Sequence, residues 1–119
     1  MTSFGVNASD VFYCFSNGKK SILLVSIDYP KIKNIKYYPY MKNISLSEPF
    51  GIEEVDMGDN AKPEIYRSMH EILNGKITGK YSFMSQGYLL YDVTYTNKKT
   101  GEITYFEKQD MTLKDITCI

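Results

Sequence analysis

A β-hairpin in residues 87–108 constrains the fold of this chain more than any other feature. Its arms, residues 87–96 and 102–108, are rich in β-branched and aromatic residues and flank a polar turn that ends in glycine. Such arms favour strands, and such a turn is typical of a hairpin. Neither arm carries a catalytic group with a partner, so the hairpin predicts a β-rich domain with a binding role. Period-two alternation assigns four side chains to the core face: Leu89, Tyr91, Val93 and Tyr95.

Shorter strand signals precede the hairpin, and one follows it. Residues 11–16 predict a strand, and an Asn-Gly turn leads into a second strand over residues 20–28. The centre of the second strand, residues 22–25, is continuously apolar, which indicates a strand that is covered on both faces. The remaining predicted strands are residues 35–40, 43–46, 80–85 and 111–118.

One segment, residues 63–74, is predicted to be helical. A proline opens it and an Asn-Gly pair closes it, as helix ends favour. Arg67 and Glu71 would form an i,i+4 pair on its polar side. The apolar residues that recur at helical spacing are Ile65, Met69, Ile72 and Leu73. The predicted fold class is therefore α+β: a single domain, mainly an antiparallel sheet (curled, barrel or sandwich), with one α-helix near residues 63–74.

The charges cancel over the whole chain but are segregated along it. The formal net charge is +0, which argues against electrostatic binding of nucleic acid. Residues 48–59 hold five acids and no base, and residues 48–62 are predicted to be an irregular loop. A solvated loop and a calcium site are two interpretations, although the spacing does not match an EF-hand. In a third, an acidic loop with apolar anchors binds a basic cleft of another protein. The candidate partner-binding residues are Glu48, Phe50, Glu53, Glu54, Asp56 and Asp59.

His70 is the only histidine and the one candidate for acid–base chemistry. Glu71 stands next to it as a possible orienting carboxylate, but no nucleophile motif accompanies the pair. No cysteine or histidine pair has the spacing of a zinc site. We therefore predict that the protein is not an enzyme and has no metal and no cofactor. A small enzyme using His70 is the least favoured alternative.

Two cysteines, Cys14 and Cys118, stand near the two ends of the chain. If the terminal strands are neighbours, a disulfide closes nearly the whole chain and implies an oxidising compartment. Two reduced thiols in the cytosol are the equal alternative. Residues 1–7 lack the basic and apolar regions of a signal peptide, and no apolar run approaches the roughly 20 residues of a membrane span. The expected location is cytoplasmic as the sequence stands, or periplasmic if a signal peptide has been removed.

The chain has 11 tyrosines and no tryptophan, a composition that suits half-exposed sheets and contact surfaces. In size, composition and character it resembles the small β-rich immunity proteins of contact-dependent inhibition and related bacterial toxin systems. That resemblance implies a monomeric inhibitor that blocks the active-site cleft of a cognate protein toxin, such as a nuclease. It implies no direct contact with nucleic acid or with a membrane.

The segments Val-Phe-Tyr-Cys at residues 11–14 and Asp-Ile-Thr-Cys at residues 115–118 carry a second resemblance. They are similar in outline to the periplasmic lysozyme inhibitors, which are small β-barrels with one early and one late cysteine. The Ser-Gly loop with which those inhibitors plug the lysozyme cleft has no counterpart in this sequence, and residues 84–87 are only loosely similar to it. The second resemblance implies a periplasmic inhibitor, and a small-ligand-binding protein is the related alternative.

Overall fold

The computed structural model describes residues 11–19, 22–26, 29–87, 89–109, 113 and 116–119, and in these residues the chain is all-β. Parts of three predicted strands lie outside the described residues, namely residues 20, 21, 27, 28, 88, 111, 112, 114 and 115. The strands are β1 (Val11–Ser16), β2 (Ile22–Ser26), β3 (Asn34–Tyr38), β4 (Lys42–Leu46), β5 (Gly51–Val55), β6 (Glu64–Leu73), β7 (Lys76–Gln86), β8 (Leu89–Asn97), β9 (Ile103–Lys108) and β10 (Thr117–Cys118).

Eight strands close into an antiparallel barrel in the order β1-β2-β3-β4-β6-β7-β8-β9. The ring is completed where β9 pairs with the end of β1, with Phe15 opposite Lys108. The short strand β10 runs parallel to the start of β1. Among the described residues β5 pairs only with β6, so it lies outside the barrel as an added edge strand. Closure removes free edges from the barrel, which leaves β5 as an exception.

The predicted helix at residues 63–74 is wrong, because Glu64–Leu73 forms the strand β6, and the fold class α+β is corrected to all-β. β6 pairs with β7 along its length, and on its other side with β4 and β5. Its core side carries Arg67 and Glu71 beside Met69, so polar residues interrupt the apolar alternation of a strand. The predicted i,i+4 pair is wrong as well, since four residues along a strand span about 13 Å.

Large side chains fill the centre of the barrel, which is expected because eight strands enclose little more than the volume of their inward side chains. Leu24 and Cys14 are also fully buried, although they lie on the opposite face of β2 and β1 and pair with each other. At residues 23–25 the apolar run in β2 is therefore covered on both faces, as predicted. The core cluster contains Tyr13, Phe15, Leu23, Val25, Ile32, Ile35, Leu46, Met69, Tyr81, Phe83, Leu90, Val93 and Phe106.

A β-bulge changes the core face of the predicted hairpin. The register between β7 and β8 shifts once, and Tyr91 is the extra residue. Leu90 is fully buried, whereas Leu89 is 47 % exposed, so the predicted core face is wrong before the bulge. After the bulge it is confirmed, because Val93 is fully buried and Tyr95 packs against the core.

A disulfide joins Cys14 in β1 to Cys118 in β10, across 104 positions of sequence. Neighbouring backbone bonds bring the two segments together, since Ile119 N–H donates to the Phe12 carbonyl oxygen. Gln109 N–H donates to the Cys14 carbonyl oxygen, which also ties the end of β9 to β1. The bond therefore links the beginning of the barrel to the segment that follows its last strand.

Candidate partner-binding surface

The predicted acidic loop is partly a strand, because Gly51–Val55 pairs with β6 as β5. The beginning of β5 is tied to β6, because Phe50 N–H donates to the Ser68 carbonyl oxygen. Beyond the end of β5, Gly58 N–H donates to the Asp56 carboxylate within a local turn. Ile52 is 65 % exposed and Phe50 51 % exposed, so this edge presents apolar side chains among its acids. Sequence reasoning missed the strand because glycines and acids, which are depleted in strands, dominate the segment.

β5 extends a row of carboxylates across the outer side of the sheet. Strand pairing places Glu53 opposite Tyr66, and Asp92 opposite Glu107. The Tyr66 hydroxyl donates to the Glu64 carboxylate at 2.9 Å, which holds a third acid in the row. We call this surface the acidic face, and its members are Glu53, Glu64, Asp92 and Glu107, together with the central Tyr66.

The pKa values of Asp92 and Tyr66 on the acidic face are raised, in part because the carboxylates of this face lie close together. Burial raises the pKa of Asp92 above its ordinary value, and the carboxylates of Glu64 and Glu107 raise it further. The hydrogen bond to Glu64 raises the pKa of Tyr66, and burial and the charges of Glu64, Asp92 and Glu53 add to the rise. Repulsion among these carboxylates lowers the free energy of unfolding. A positively charged partner would offset that repulsion, so the acidic face is suited to binding such a partner.

The structure brings only one of the six predicted partner-binding residues into the acidic face, namely Glu53. Glu54 is the next residue on the strand and points to the opposite side, where it pairs with Ile65. The other predicted residues lie along the same edge: Glu48 and Phe50 before β5, and Asp56 and Asp59 after it. Sequence reasoning missed three members, Glu64, Asp92 and Glu107, because only strand pairing assembles them. The only indication of them in the sequence is the alternation of inward and outward side chains along each strand, which turns these three outward.

The C-terminal end of β6 carries a buried carboxylate that joins β6 to side chains of β7 and β8. Glu71 is 5 % exposed and accepts hydrogen bonds from the hydroxyls of Thr78, Tyr81 and Tyr95, at 2.8, 3.0 and 2.8 Å. The Tyr37 and Tyr81 hydroxyls lie 2.9 Å apart and extend the network across the barrel. Burial raises the pKa of all three tyrosines. These three hydroxyls therefore stay protonated, and those of Tyr81 and Tyr95 donate to the Glu71 carboxylate.

His70 lies on the outer side of β6, and its ring stacks on Phe50 with centroids 4.0 Å apart and an angle of 9° between the planes. Its backbone N–H donates to the Ser47 hydroxyl oxygen. Glu71, the orienting carboxylate suggested by sequence, points into the barrel on the opposite side of the strand. The His70–Glu71 pair is thus not assembled, and the role that the structure gives to the His70 ring is contact with the edge of β5.

Comparison with protein-family models, curated proteins and solved structures finds no match to this chain. Within the described ranges, no group of three or more His, Cys, Asp or Glu residues is arranged to hold a metal ion. The same residues contain no helix long and apolar enough to cross a membrane.

Proposed function

We propose that the protein is an inhibitor that binds another protein and neutralises a basic partner enzyme through the acidic face and the adjoining edge of β5. The observation that carries the proposal is the edge strand itself, which eight other strands leave outside the barrel. Its unpaired side can accept an extended segment of a partner by strand addition. The carboxylates add charge complementarity, and the exposed apolar side chains add anchors.

The rigidity of the barrel supports an inhibitory role. A barrel that is closed by backbone pairing and joined by a disulfide presents β5 in a fixed position, so little conformational entropy is lost on binding. The centre of the barrel is filled by large side chains, which argues against carriage of a ligand in the barrel.

The disulfide favours one class of partner over another. Disulfides persist in oxidising compartments, so the Cys14–Cys118 bond supports an extracytoplasmic protein. A partner that acts there, such as a lysozyme or another cell-wall-degrading toxin, then fits better than a cytosolic nuclease. The proposal therefore favours an inhibitor that acts as the periplasmic lysozyme inhibitors do over a cytosolic immunity protein, and neutralisation of an enzyme is common to both.

The first experiment measures inhibition of a purified lysozyme on a peptidoglycan suspension, beside capture of partners from a lysate of the source cells. We expect loss of activity at one inhibitor per enzyme, either for lysozyme or for the enzyme captured. If no enzyme loses activity in a stoichiometric complex, the inhibitor proposal is wrong.

A charge reversal tests the surface. Glu53→Lys is expected to weaken partner binding by roughly tenfold or more and to reduce the dependence of the association rate on salt. Glu102→Lys is the matched control, because it makes the same change of charge at an exposed residue of the distant β8–β9 turn. Both affinities are read by calorimetry with the captured enzyme. Equal losses in the two variants, or a loss in the control alone, would place the partner elsewhere.

A further inference from the structure

A separate feature is a surface pocket of about 410 Å³ that lies between the segment that follows β2 and the connection from β4 to β5. A second pocket, of about 230 Å³, lies on the other side of Pro30. Pro30 and Arg67 line both pockets, and Tyr29 and Ser85 line the smaller one. The volume of the larger pocket is in the range of small-molecule sites.

Arg67 is the only arginine of the sequence and is held in a defined position. Its Nη1 donates to the Tyr29 hydroxyl at 2.9 Å and to the Ser85 hydroxyl at 3.4 Å, and the Tyr29 hydroxyl donates to Ser85 at 3.1 Å. Its guanidinium carbon also lies 5.3 Å from the centroid of the Tyr29 ring. In the described part of the chain its hydrogen-bond acceptors are neutral hydroxyls, and no carboxylate is among them.

The larger pocket has a positive rim and an apolar floor. Among the described residues of its lining, Lys31 and Lys33 are exposed and Glu48 is the one acid, so this described lining carries more positive than negative charge in a chain of net charge +0. Ile32 and Leu46 are buried beneath it. A preorganised guanidinium binds a planar carboxylate through two parallel hydrogen bonds, and an apolar floor receives the body that bears it.

We propose that this pocket binds a small organic carboxylate with an apolar body, with the carboxylate on Arg67 and the body on Ile32 and Leu46. The inference stands apart from the proposed function, because the pocket faces away from the outward carboxylates of the acidic face and needs no protein partner. Tyr29 and Ser85 are positioning residues, since they orient the guanidinium group.

Nuclear magnetic resonance tests this directly, because a single arginine gives a single Nε–Hε signal. Benzoate is the probe, benzamide is its neutral isostere, and inorganic phosphate is the anion without an apolar body. We expect benzoate to shift the Arg67 signal and the backbone signals of Ile32 and Leu46 in a saturable way, and to bind at least roughly tenfold more tightly than benzamide or phosphate.

Variants separate binding from folding. Arg67→Gln is expected to weaken benzoate binding by roughly tenfold or more. The double variant Lys31→Gln, Lys33→Gln leaves the wall of the pocket intact. It is expected to weaken benzoate binding by only about twofold to fivefold, since exposed charges are screened. Lys80→Gln, at an exposed lysine on β7, is the control and should bind as the unchanged protein does.

The outcomes against the proposal are equally specific. An Arg67 signal that does not move with benzoate would overturn it, as would equal affinity for benzamide or for phosphate. If Arg67→Gln fails to fold, the signal in the unchanged protein and the lysine variants still decide the question.

Discussion

Gly79 is the residue at which the smallest change is expected to have the largest effect. It lies on β7 beside the Glu71 network, and a Cβ atom there would be 2.5 Å from the Cε1 and hydroxyl oxygen of Tyr95. Real Cβ atoms do not approach so closely, so Gly79→Ala must displace the Tyr95 ring. That displacement removes the 2.8 Å hydrogen bond from the Tyr95 hydroxyl to the buried Glu71 carboxylate.

The cost has two parts. Overpacking a core costs about 1–3 kcal/mol, and loss of a hydrogen bond to a charged group costs about 1.5–3 kcal/mol. We therefore expect Gly79→Ala to lower the free energy of unfolding by roughly 2.5–6 kcal/mol. With a urea dependence of about 2 kcal/mol per molar, the unfolding midpoint falls by roughly 1.2–3 M. Circular dichroism and tyrosine fluorescence measure it, because the chain has no tryptophan.

Two comparisons isolate the contact. Gly51→Ala is the matched control, because nothing lies within 4 Å of a Cβ atom at that position, and its midpoint should change little. Tyr95→Ala removes the ring that clashes, so adding Gly79→Ala to it should cost much less than Gly79→Ala alone. An unchanged midpoint for Gly79→Ala, or additive losses in the double variant, would refute the reasoning.

Two further predictions concern charge and covalent closure. Asp92→Asn should raise the free energy of unfolding by about 0.2–1 kcal/mol at pH 7, because it removes a carboxylate opposite that of Glu107. Since the folded-state pKa of Asp92 is raised above its ordinary 3.8, this gain should shrink as the pH falls through the folded-state pKa; a gain independent of pH would contradict it. Replacing Cys14 and Cys118 by serine should lower the free energy of unfolding by about 4–5 kcal/mol in urea titrations, because the bond closes a loop of 104 positions; an unchanged midpoint would contradict it.

Much of the sheet was predictable from local patterns. β1 and the β8–β9 hairpin follow alternation and turn chemistry, and β2 follows its continuous apolar run. β6 was not predictable from local patterns, because Arg67 and Glu71 occupy core-facing positions where a strand usually has apolar side chains. Each is satisfied by hydroxyls from elsewhere in the chain, Arg67 by Tyr29 after β2 and by Ser85 on β7, and no local pattern can show such partners.

The candidate surface was predictable only in part. The excess of acids around β5 is visible in the sequence, and Glu53 is indeed on the acidic face. Glu64, Asp92 and Glu107 join it through pairings between residues up to several strands apart, and the bulge at Tyr91 adjusts which side of β8 faces outward. A one-residue shift of register exchanges the two faces of a strand, so surface membership depends on details that composition cannot supply.

The position of β5 outside the ring has a consequence for how such a protein can diversify. Because eight other strands complete the barrel, substitutions along the outward side of β5 leave the ladder that maintains the architecture unaltered. The acids and apolar residues of this strand can therefore be exchanged without compensating changes in the interior of the barrel. Stability and surface chemistry are set by separate parts of the chain, so the outward side of β5 can be varied while the ring of eight strands is kept.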